Sequence, residues 1–341
     1  MRSFIWLSAW LVLIAFAGCL HRPIIPAPTT VKRSQMLMGT LVFVTAVAKD
    51  VPTGQRAAEA ALKEIRRLEE LLSTWMPTSE LSGLNDAAGQ KPVKISPDTM
   101  QVLKTSLEIA RLTEGGFNIA VGPAVHAWNV TEQSTIPSEE ELRRLLPLMD
   151  LSALELDETM STAYLTRPGM RVDVGGIGKG FAADRAAAAM RAAGATAGAV
   201  ALSGDIKTFG RMPDGEAFLF GIQDPRKESA LMATIELHDE AISTAGDYER
   251  FFERDGVRYH HILDPKSLQP ARECRSVTVI AKEGVMADGL DTGIFVMGPA
   301  RGMELVERLP DVEAVIVDRN GKILVSSGLT SRVRFTDSTY K

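Results

Sequence analysis

The chain has 341 residues, of which 45% are hydrophobic and 24% are charged, a balance typical of a globular protein with enough apolar material for a core. This composition excludes a chain that is disordered throughout. The formal net charge is −5 and long runs of Lys and Arg are absent, so the charge pattern of a nucleic-acid-binding protein is missing and we expect no nucleic-acid partner.

The first segment has the features of a bacterial lipoprotein signal. Arg2 precedes an apolar run over residues 4–16, and the small pair Ala17-Gly18 stands directly before Cys19. The alternative is a simple transmembrane anchor, but the apolar run is shorter than the roughly 20 residues that a membrane span needs. The pattern therefore favours cleavage before Cys19 and attachment of lipid to its sulfur.

This interpretation divides the chain into three parts. We expect a signal peptide over 1–18, a lipidated tether over 19–31 and one folded domain over 32–341. The mature protein is then held at the cell membrane on the periplasmic side, at either the inner or the outer membrane. Cys274 remains as a free thiol without a disulfide partner, and we expect it to be a packed core residue.

Hydrophobic periodicity predicts helices and strands that mix without strict alternation, which favours an α/β fold of the mixed, α+β kind. In chain order, the pattern predicts a strand over 35–48, helices over 55–74, 97–113, 138–146 and 181–193, strands over 199–202, 217–222, 233–237, 259–263 and 277–281, and helices over 288–297 and 301–309. Ser138 and Glu141 form a capping pattern at a helix start. The pair Asn320-Gly321 predicts a hairpin turn.

The most informative stretch is the block from Asp173 to Asp184, with the sequence DVGGIGKGFAAD. Its glycines, Lys179 and the helix that follows can bring backbone amides, a positive helix end and an ammonium to one anion, as a diphosphate site requires. A Walker loop would need Gly at position 173 and Ser or Thr at position 180. The glycine spacing also fails the dinucleotide-binding fingerprint, so the block needs another explanation.

A second set of polar residues lies on a predicted helix near the C-terminal end. Asp288, Asp291 and Thr292 stand at positions i, i+3 and i+4, so their oxygens share one helix face. Such a face is suited to a hard cation such as Mg²⁺, which binds few protein oxygens and keeps places for water and substrate phosphates. The alternative is structural, with Asp288 capping its helix and Thr292 only packed.

Adjacent histidines provide a candidate general base. His260 and His261 lie where a predicted strand enters a turn, and strand alternation places His261 on one face with Tyr259 and His260 on the other. One of them, close to a phosphate, can accept the proton of an incoming hydroxyl. The alternative is a half-buried histidine that only bonds a backbone carbonyl. Trp75, at a predicted helix end, either stacks on a ring ligand or packs in the protein.

Taken together, these segments resemble one family, the FAD:protein FMN transferases, also called the ApbE lipoproteins of thiamine metabolism. The resemblance covers nearly the whole mature chain. It is carried by Met38-Gly39-Thr40, Ser73-Thr74-Trp75, Ser79-Glu80-Leu81 with Asn85, Phe117-Asn118, Val121-Gly122-Pro123, the Asp173 to Asp184 block, Ser243 to Arg250, Tyr259 to Pro265, and Met286-Ala287-Asp288 through Gly298.

The resemblance implies a flavin site with Mg²⁺ on the FAD diphosphate. The implied metal ligands are Asp288, Thr292, the carbonyl of Gly176 and, as a further contact, Asp291. The implied FAD contacts are Met38, Trp75, Asn118, Ile119, Ala120, Asp173, Lys179 and Ile262, beside His261. Lys179 would stabilise negative charge on the transferring group, and His261 would be the base.

The family further implies a fold with mixed sheets packed by helices, and an FAD and metal site in a cleft between subdomains. Its reaction moves FMN from FAD to a threonine of an acceptor redox protein, leaves a phosphoester-linked flavin and releases AMP. Two rivals need the same pocket: an FAD pyrophosphatase, in which water attacks, and a lipoprotein that stores FAD without turnover.

Three positions depart from the family pattern. Gly289-Leu290-Asp291 replaces the usual Ala-Leu-Ser, which adds a carboxylate beside the expected metal and predicts tighter cation binding. Asn118 stands where Asp is common. Residues 201–205 read Ala-Leu-Ser-Gly-Asp where the family has Asn-x-Gly-Gly-Asp, so flavin contacts in that turn differ.

Overall fold

A computed structural model describes residues 27–227, 229–337 and 340 of the chain. The predicted signal peptide and the predicted lipidation site Cys19 lie outside the described residues. The first strand begins at Thr29, so folded structure starts before the domain boundary predicted at residue 32. Within the described residues, no helix is both long enough and apolar enough to cross a membrane.

Strands and helices alternate irregularly along the chain, as the hydrophobic pattern predicts. The strands are β1 Thr29–Leu37, β2 Thr40–Ala48, β3 Val93–Lys94, β4 Leu154–Asp157, β5 Thr162–Leu165, β6 Ala197–Leu202, β7 Asp205–Phe209, β8 Phe218–Gln223, β9 Leu231–Leu237, β10 Ala241–Gly246, β11 Phe251–Arg254, β12 Val257–His260, β13 Cys274–Ala281, β14 Val312–Asp318, β15 Ile323–Val325 and β16 Arg334–Phe335. The helices are α1 Val51–Leu72, α2 Glu80–Asp86, α3 Pro97–Leu112, α4 Gly122–Trp128, α5 Glu139–Leu145, α6 Gly178–Ala192, α7 Gly284–Met297 and α8 Pro299–Arg308.

The centre of the fold is an eight-stranded antiparallel sheet in the order β1-β2-β6-β7-β10-β13-β14-β15. Helices α1, α6, α7 and α8 pack on one of its faces, and α3 packs against α1 and α7. Alternate strand residues such as Val44 and Val279 join Ile65 of α1 and Phe295 of α7 in this main core, and all four are at most 1% exposed. Burial of each such side chain stabilises the fold by about 1.5–3 kcal/mol.

The opposite face of the sheet is partly covered by a second, three-stranded sheet in the order β16-β9-β8. Ile280 and Val317 of the large sheet pack there against Met232 and Ile235 of β9. The molecule is therefore layered as helices, sheet and sheet, and the prediction of a mixed α/β fold is confirmed.

A smaller apolar cluster joins α4 and α5 to the hairpin formed by β11 and β12. Tyr259 stacks on Phe252 with ring centroids 5.2 Å apart, and it lies 5.6 Å from the ring of Trp128. The indole N–H of Trp128 donates to the carbonyl of Leu268 at 2.7 Å. These contacts fix the hairpin, and with it the segment that follows at residue 261.

One predicted element is wrong. The single strand expected over 35–48 is a hairpin, in which β1 and β2 are joined by Met38 and Gly39. Both residues have positive φ, 51° and 68°, as a two-residue hairpin turn of this hand requires. The sequence concealed the turn because the first of its two positions is Met, where Asn, Asp or Gly is usual.

Four predicted helices begin earlier than expected. The helix predicted from residue 55 begins at Val51, and the one predicted from residue 301 begins at Pro299. The other two begin with glycines, which concealed their first turns. The helix predicted from residue 181 begins at Gly178, and the helix predicted from residue 288 begins at Gly284. Other local signals are confirmed: Ser138 caps α5 by accepting from the Glu141 amide, and the turn at Gly321 joins β14 to β15. Cys274 is a free, buried core residue, as predicted.

Candidate active site

A cavity of ≈ 410 Å³ opens where the N-terminal ends of α6 and α7 meet the edges of several loops. Its walls come from segments that are far apart in the chain: the β1–β2 turn, the end of α1, the segment before α4, the turn between β6 and β7, the end of β10, and residues 261–263 after β12. The lining mixes backbone, aromatic and charged groups, as expected for a pocket that binds an organic ligand with an anionic part.

Most of the residues singled out from the sequence line this cavity. They are Trp75, Asn118, Asp173, Gly176, Lys179, His261, Ile262, Asp288, Asp291 and Thr292. Within the described chain, Met38, Ile119 and Ala120 are not among the lining residues. Gly39 and Thr40 line the cavity in place of Met38. Ile119 and Ala120 are 1% and 0% exposed and belong to the main core.

The helices that carry the charged residues cap each other. The Asp288 carboxylate of α7 accepts a hydrogen bond from the Gly180 amide at 2.8 Å, in the first turn of α6. In return, the Asp184 carboxylate of α6 accepts from the Gly284 and Val285 amides at 2.8 and 2.9 Å, in the first turn of α7. Each helix thus supplies a carboxylate that accepts from the free amides at the start of the other helix. In both helices this carboxylate follows the glycine of the first turn by four residues.

Close approach of the two backbones makes this exchange possible. A Cβ at Gly180 would lie 2.1 Å from the Gly284 carbonyl oxygen, and a Cβ at Gly284 would lie 2.6 Å from the Gly180 carbonyl oxygen. We call this contact the helix crossing. It explains why residue 284 is glycine, and it explains Gly180, which the sequence could only attribute to a phosphate loop.

The backbone amides of the glycine-rich block are mostly bonded within the protein. The Gly175 amide donates to Asp173, those of Ile177 and Gly178 donate to the Val174 carbonyl, and that of Gly180 donates to Asp288. These four amides are therefore not available to a ligand phosphate. The positive end of α6 is directed at the Asp288 carboxylate, which explains why the block departs from the spacing of phosphate-binding loops.

Three carboxylates meet at the base of the cavity. Asp205, Asp288 and Asp291 each offer an oxygen within 4.8 Å of the others, and all three side chains are buried. We call them the carboxylate triad. Lys179, from α6, forms an ion pair with Asp205. Sequence reasoning left Asp205 unassigned, because it stands alone at the start of β7 and only the pairing of β7 with β10 brings it here.

Ser243 of β10 lies between two members of the triad. Its hydroxyl is within hydrogen-bond distance of Asp205, and it lies 2.6 Å from Oδ2 of Asp291. A serine hydroxyl has one proton, so it can donate to only one of these carboxylates. The other oxygen of Asp291, Oδ1, is the one buried side-chain polar atom in the described residues that has no hydrogen-bond partner.

The electrostatics of the triad favour a cation. Burial raises the pKa of Asp288 to about 7, and the Asp205 charge adds to the rise. Burial, together with the Asp288 charge, raises the pKa of Asp291 well above its usual value. Burial opposes the charge of Lys179, but the attraction of Asp205 and Asp288 outweighs it and raises the Lys179 pKa. If all three carboxylates are ionised beside the one ammonium, two negative charges are left uncompensated, and the raised pKa values show that this state is unfavourable unless a further cation is bound.

A divalent cation fits this donor set. Its charge matches the two uncompensated negative charges, and the unpartnered Oδ1 of Asp291 is a free ligand oxygen of the kind that Mg²⁺ prefers. Thr292 and Gly176 lie side by side at the same place, since a Cβ on Gly176 would sit 3.1 Å from Oγ1 of Thr292. The four residues predicted as metal ligands are thus brought together, and Asp205 joins them.

The two histidines have different environments. His260 is 2% exposed; its Nε2–H donates to the Ala271 carbonyl at 2.7 Å and its Nδ1 accepts from the Ile262 amide at 3.3 Å. Both nitrogens are therefore occupied and the ring is neutral. Burial lowers its pKa to about 4. His260 therefore matches the alternative stated for the pair, a histidine with a structural role that bonds a backbone carbonyl.

His261 lines the cavity and is only half-buried. Its Nδ1 lies 3.3 Å from the Arg250 carbonyl, and because a carbonyl only accepts, this bond places the ring proton on Nδ1. Nε2 then carries the free lone pair. The cavity walls displace much of the bulk water around the ring although its edge stays accessible, and this desolvation, with a contribution from the Arg250 charge, lowers the pKa of His261 to about 3, so the ring is neutral at pH 7.

Trp75 lies at the rim of the cavity. Its side chain is 66% exposed, which is unusual for so large an apolar group. The neighbouring Thr74 hydroxyl donates to Asp173 at 3.4 Å, so this end of α1 is tied to the glycine-rich block. An exposed indole at a pocket rim is available to stack on a planar ring.

Comparisons with known proteins identify the family of this chain. The sequence pattern of the ApbE family matches residues 38–316. The chain belongs to the ApbE family. It is 31% identical to a Klebsiella pneumoniae protein named FAD:protein FMN transferase, over 90% of this chain and 95% of that one, and 33% identical to a Treponema pallidum protein of the same name, over 90% of each.

Solved ApbE structures share the fold. The ApbE protein of Thermotoga maritima superimposes with a TM-score of 0.83 at 30% identity, covering 88% of this chain and 98% of that one. The flavin transferase ApbE of Vibrio cholerae gives a TM-score of 0.79 at 30% identity, over 89% and 99% of the two chains. The resemblance recognised in the sequence motifs is therefore confirmed, both for the family and for its fold.

Proposed function

We propose that this protein transfers FMN from FAD to a threonine hydroxyl of an acceptor redox protein, with release of AMP and in a reaction that depends on Mg²⁺. The observation that carries the proposal is that one cavity contains both a cation-demanding carboxylate triad and a neutral histidine with a free ring nitrogen. Family membership supplies the substrate class: the curated relatives are named for FAD as donor and protein as acceptor.

The metal site would be formed by Asp288 and Asp291, with Thr292 and the Gly176 carbonyl beside them. When bound, Mg²⁺ supplies neutralising charge at the FAD diphosphate. The free oxygen of Asp291 and the uncompensated charge of the triad support this assignment. Lys179, which lies on the cavity wall and is held by Asp205, adds a fixed positive charge near the same phosphates.

The organic parts of FAD would be held by the rest of the lining. Trp75 offers an exposed indole face for stacking, and Ile262 offers an apolar surface next to His261. Asn118 is fixed in orientation, because its side chain donates to the Met149 carbonyl and accepts from the Ala120 amide. Ile119 and Ala120, buried behind it, would shape this wall from the core rather than touch the ligand with their side chains.

His261 would activate the acceptor. The threonine O–H bond breaks as its proton moves to Nε2 of His261, the threonine oxygen bonds to the FMN phosphorus, and the bond from that phosphorus to the AMP phosphate oxygen breaks. The product is a phosphoester-linked flavin, with AMP as the leaving group. The Arg250 carbonyl keeps the ring proton on Nδ1, so Nε2 is the nitrogen that accepts.

We also propose that the protein is a lipoprotein anchored through Cys19 to a bacterial membrane and facing the periplasm. The sequence features at residues 2–19 support this proposal. An acceptor that is itself a membrane redox protein would then share the same surface. Metabolic labelling with a radioactive fatty acid tests the anchor: the wild type should carry label and Cys19→Ala should not.

One assay separates transfer from its rivals. The purified full-length protein in detergent is incubated with FAD and Mg²⁺, with and without a soluble threonine-bearing domain of a membrane redox protein from the same organism. Release of AMP only with the acceptor supports transfer. Release of AMP without the acceptor favours a pyrophosphatase, in which water replaces the threonine, and absence of AMP in both mixtures favours FAD storage.

A further inference from the structure

We propose that Asp184 is a positioning residue for the metal site, a role that rests on the proposed Mg²⁺ dependence. Asp184 is the last residue of the glycine-rich block, it does not line the cavity within the described chain, and the proposed reaction gives it no chemical step. Its carboxylate nevertheless fixes the helix that carries the metal ligands.

Asp184 supplies the cap that α7 does not have in its own sequence. The residue before α7 is Glu283, whose side chain makes no capping hydrogen bond among the described residues. Instead, the two oxygens of Asp184 accept from the Gly284 and Val285 amides at 2.8 and 2.9 Å. This two-point contact sets both the position and the rotation of the first turn of α7, since each oxygen holds a different amide.

The first turn of α7 in turn determines where Asp288 lies. Asp288 follows Gly284 by one helical turn and accepts from Gly180, which precedes Asp184 by one turn of α6. The two caps and the helix crossing therefore form a closed set of contacts. All of these contacts join α6 to α7. A displacement of the Asp184 carboxylate therefore reaches Asp288 through less than two turns of helix.

A metal site is sensitive to such movement because ligand distances are tolerated only within a few tenths of an ångström. Residues that orient metal ligands from outside typically change metal affinity by about 10–100-fold when they are removed. Asp184 stabilises α7 like any helix cap, but its effect should also appear in the affinity for Mg²⁺. That second effect distinguishes positioning from a purely structural role.

The test compares Asp184→Ala and Asp184→Asn with a matched control, Asp50→Ala. Asp50 caps α1 by accepting from the Thr53 amide at 2.7 Å, and it lies at the end of α1 opposite to the cavity rim residue Trp75. Each full-length variant is titrated with MgCl2 in the presence of FAD by isothermal titration calorimetry, and its unfolding free energy is measured in urea.

We expect Asp184→Ala to weaken Mg²⁺ binding by about ten-fold or more. Asp184→Asn, which keeps one acceptor oxygen, should weaken it less, and it carries the test if the alanine variant does not fold. The control should lose about 1 kcal/mol of stability with Mg²⁺ affinity unchanged.

Two results would overturn the proposal. Wild-type Mg²⁺ affinity in both Asp184 variants, at a stability loss like that of the control, would reduce Asp184 to an ordinary cap while leaving the proposed function intact. Absence of Mg²⁺ binding by the wild-type protein itself would contradict the metal site, and the role of Asp184 with it.

Discussion

Asp288 has two roles that the sequence presents as alternatives. Sequence reasoning offered either a metal ligand or a cap of its own helix. The structure shows a cap, but of the neighbouring helix α6, through the Gly180 amide. The same carboxylate belongs to the carboxylate triad. Replacement by alanine removes the metal ligand and the cap together, so it cannot distinguish the two roles.

Asp288→Asn separates the two roles. The amide oxygen of asparagine can still accept from Gly180, so the unfolding free energy should remain within about 1 kcal/mol of wild type. The negative charge is lost, so Mg²⁺ binding and Mg²⁺-dependent AMP release should be abolished. Asp288→Ala should lose both function and stability. Full activity of Asp288→Asn, with Mg²⁺ still required, would exclude Asp288 as a metal ligand.

Substitutions of the two neighbouring histidines should have different effects, one on the rate of transfer and the other on stability. His261→Gln should keep the fold and reduce transfer by about 10²–10⁴-fold, the usual contribution of a general base. His260→Gln should mainly destabilise the protein, because His260 is buried and bonded at both ring nitrogens. Measurement of AMP release per folded molecule distinguishes them. A normal rate in His261→Gln and a large loss in His260→Gln would reverse the assignment.

His260 also predicts how stability depends on pH. Burial lowers its pKa from 6.5 to about 4, so between these values the unfolded state takes up a proton that the folded state does not. Stability from this group is complete above pH 6.5 and falls as the pH drops toward 4, by up to about 3 kcal/mol. The difference in unfolding free energy between wild type and His260→Gln, measured without added metal, should shrink by this amount as the pH falls from 6.5 to 4. A pH-independent difference would mean that the pKa of His260 is the same in the folded and unfolded states, and would contradict the lowered value.

At the scale of elements, the helix crossing is the least replaceable contact near the site. Gly180→Ala places a methyl group 2.1 Å from the Gly284 carbonyl oxygen, and backbone cannot yield as a flexible side chain does. We expect a loss of about 1–3 kcal/mol or more, together with weaker Mg²⁺ binding.

Gly83→Ala in α2 is the matched control for the helix crossing, since a Cβ there meets nothing within 4 Å. It should stabilise slightly or be neutral, by up to about 1 kcal/mol, because alanine is the better helix former. Urea unfolding and Mg²⁺ titration of both variants check this pair. Equal, small effects in Gly180→Ala and Gly83→Ala would show that α6 and α7 can separate without cost.

The elements themselves were largely readable from the sequence, and the errors have identifiable causes. Helical periodicity located α1 and α3, and local caps located α5. The β1–β2 turn was missed because Met38 adopts a positive φ that its side chain gives no reason to expect. The starts of α6 and α7 were missed because their first turns depend on caps donated by another helix, which no local pattern reveals.

At the scale of the whole molecule, the site is assembled from residues 39 to 292 by the central sheet and the helices on it. Spacing within α7 correctly predicted that Asp288, Asp291 and Thr292 share a face. Asp205 and Ser243 could not be added from spacing, because the pairing of β7 with β10 is what brings them to that face. Family resemblance joined the distant segments, which local pattern alone could not do.

The additional carboxylate of this chain gives a prediction at the same scale. The resemblance to the family implies serine at the position of Asp291, and the Oδ1 of Asp291 is unpartnered within the described residues. Asp291→Ser should therefore weaken Mg²⁺ binding measurably while allowing turnover at high Mg²⁺. The unfolding free energy without metal should rise at pH 7, because a buried carboxyl that is unfavourable to ionise at this site is removed. An unchanged Mg²⁺ affinity would show that Asp291 lies outside the coordination shell.

The central claim is transfer of FMN to a protein threonine, and the mass of the acceptor tests it most directly. The full-length protein is incubated with FAD, Mg²⁺ and the soluble acceptor domain, or with the same domain carrying alanine in place of its threonine. The account predicts that the threonine form gains the mass of FMN less one water, with one AMP released for each molecule modified, and that the alanine form gains nothing. AMP release without a change in acceptor mass would contradict it.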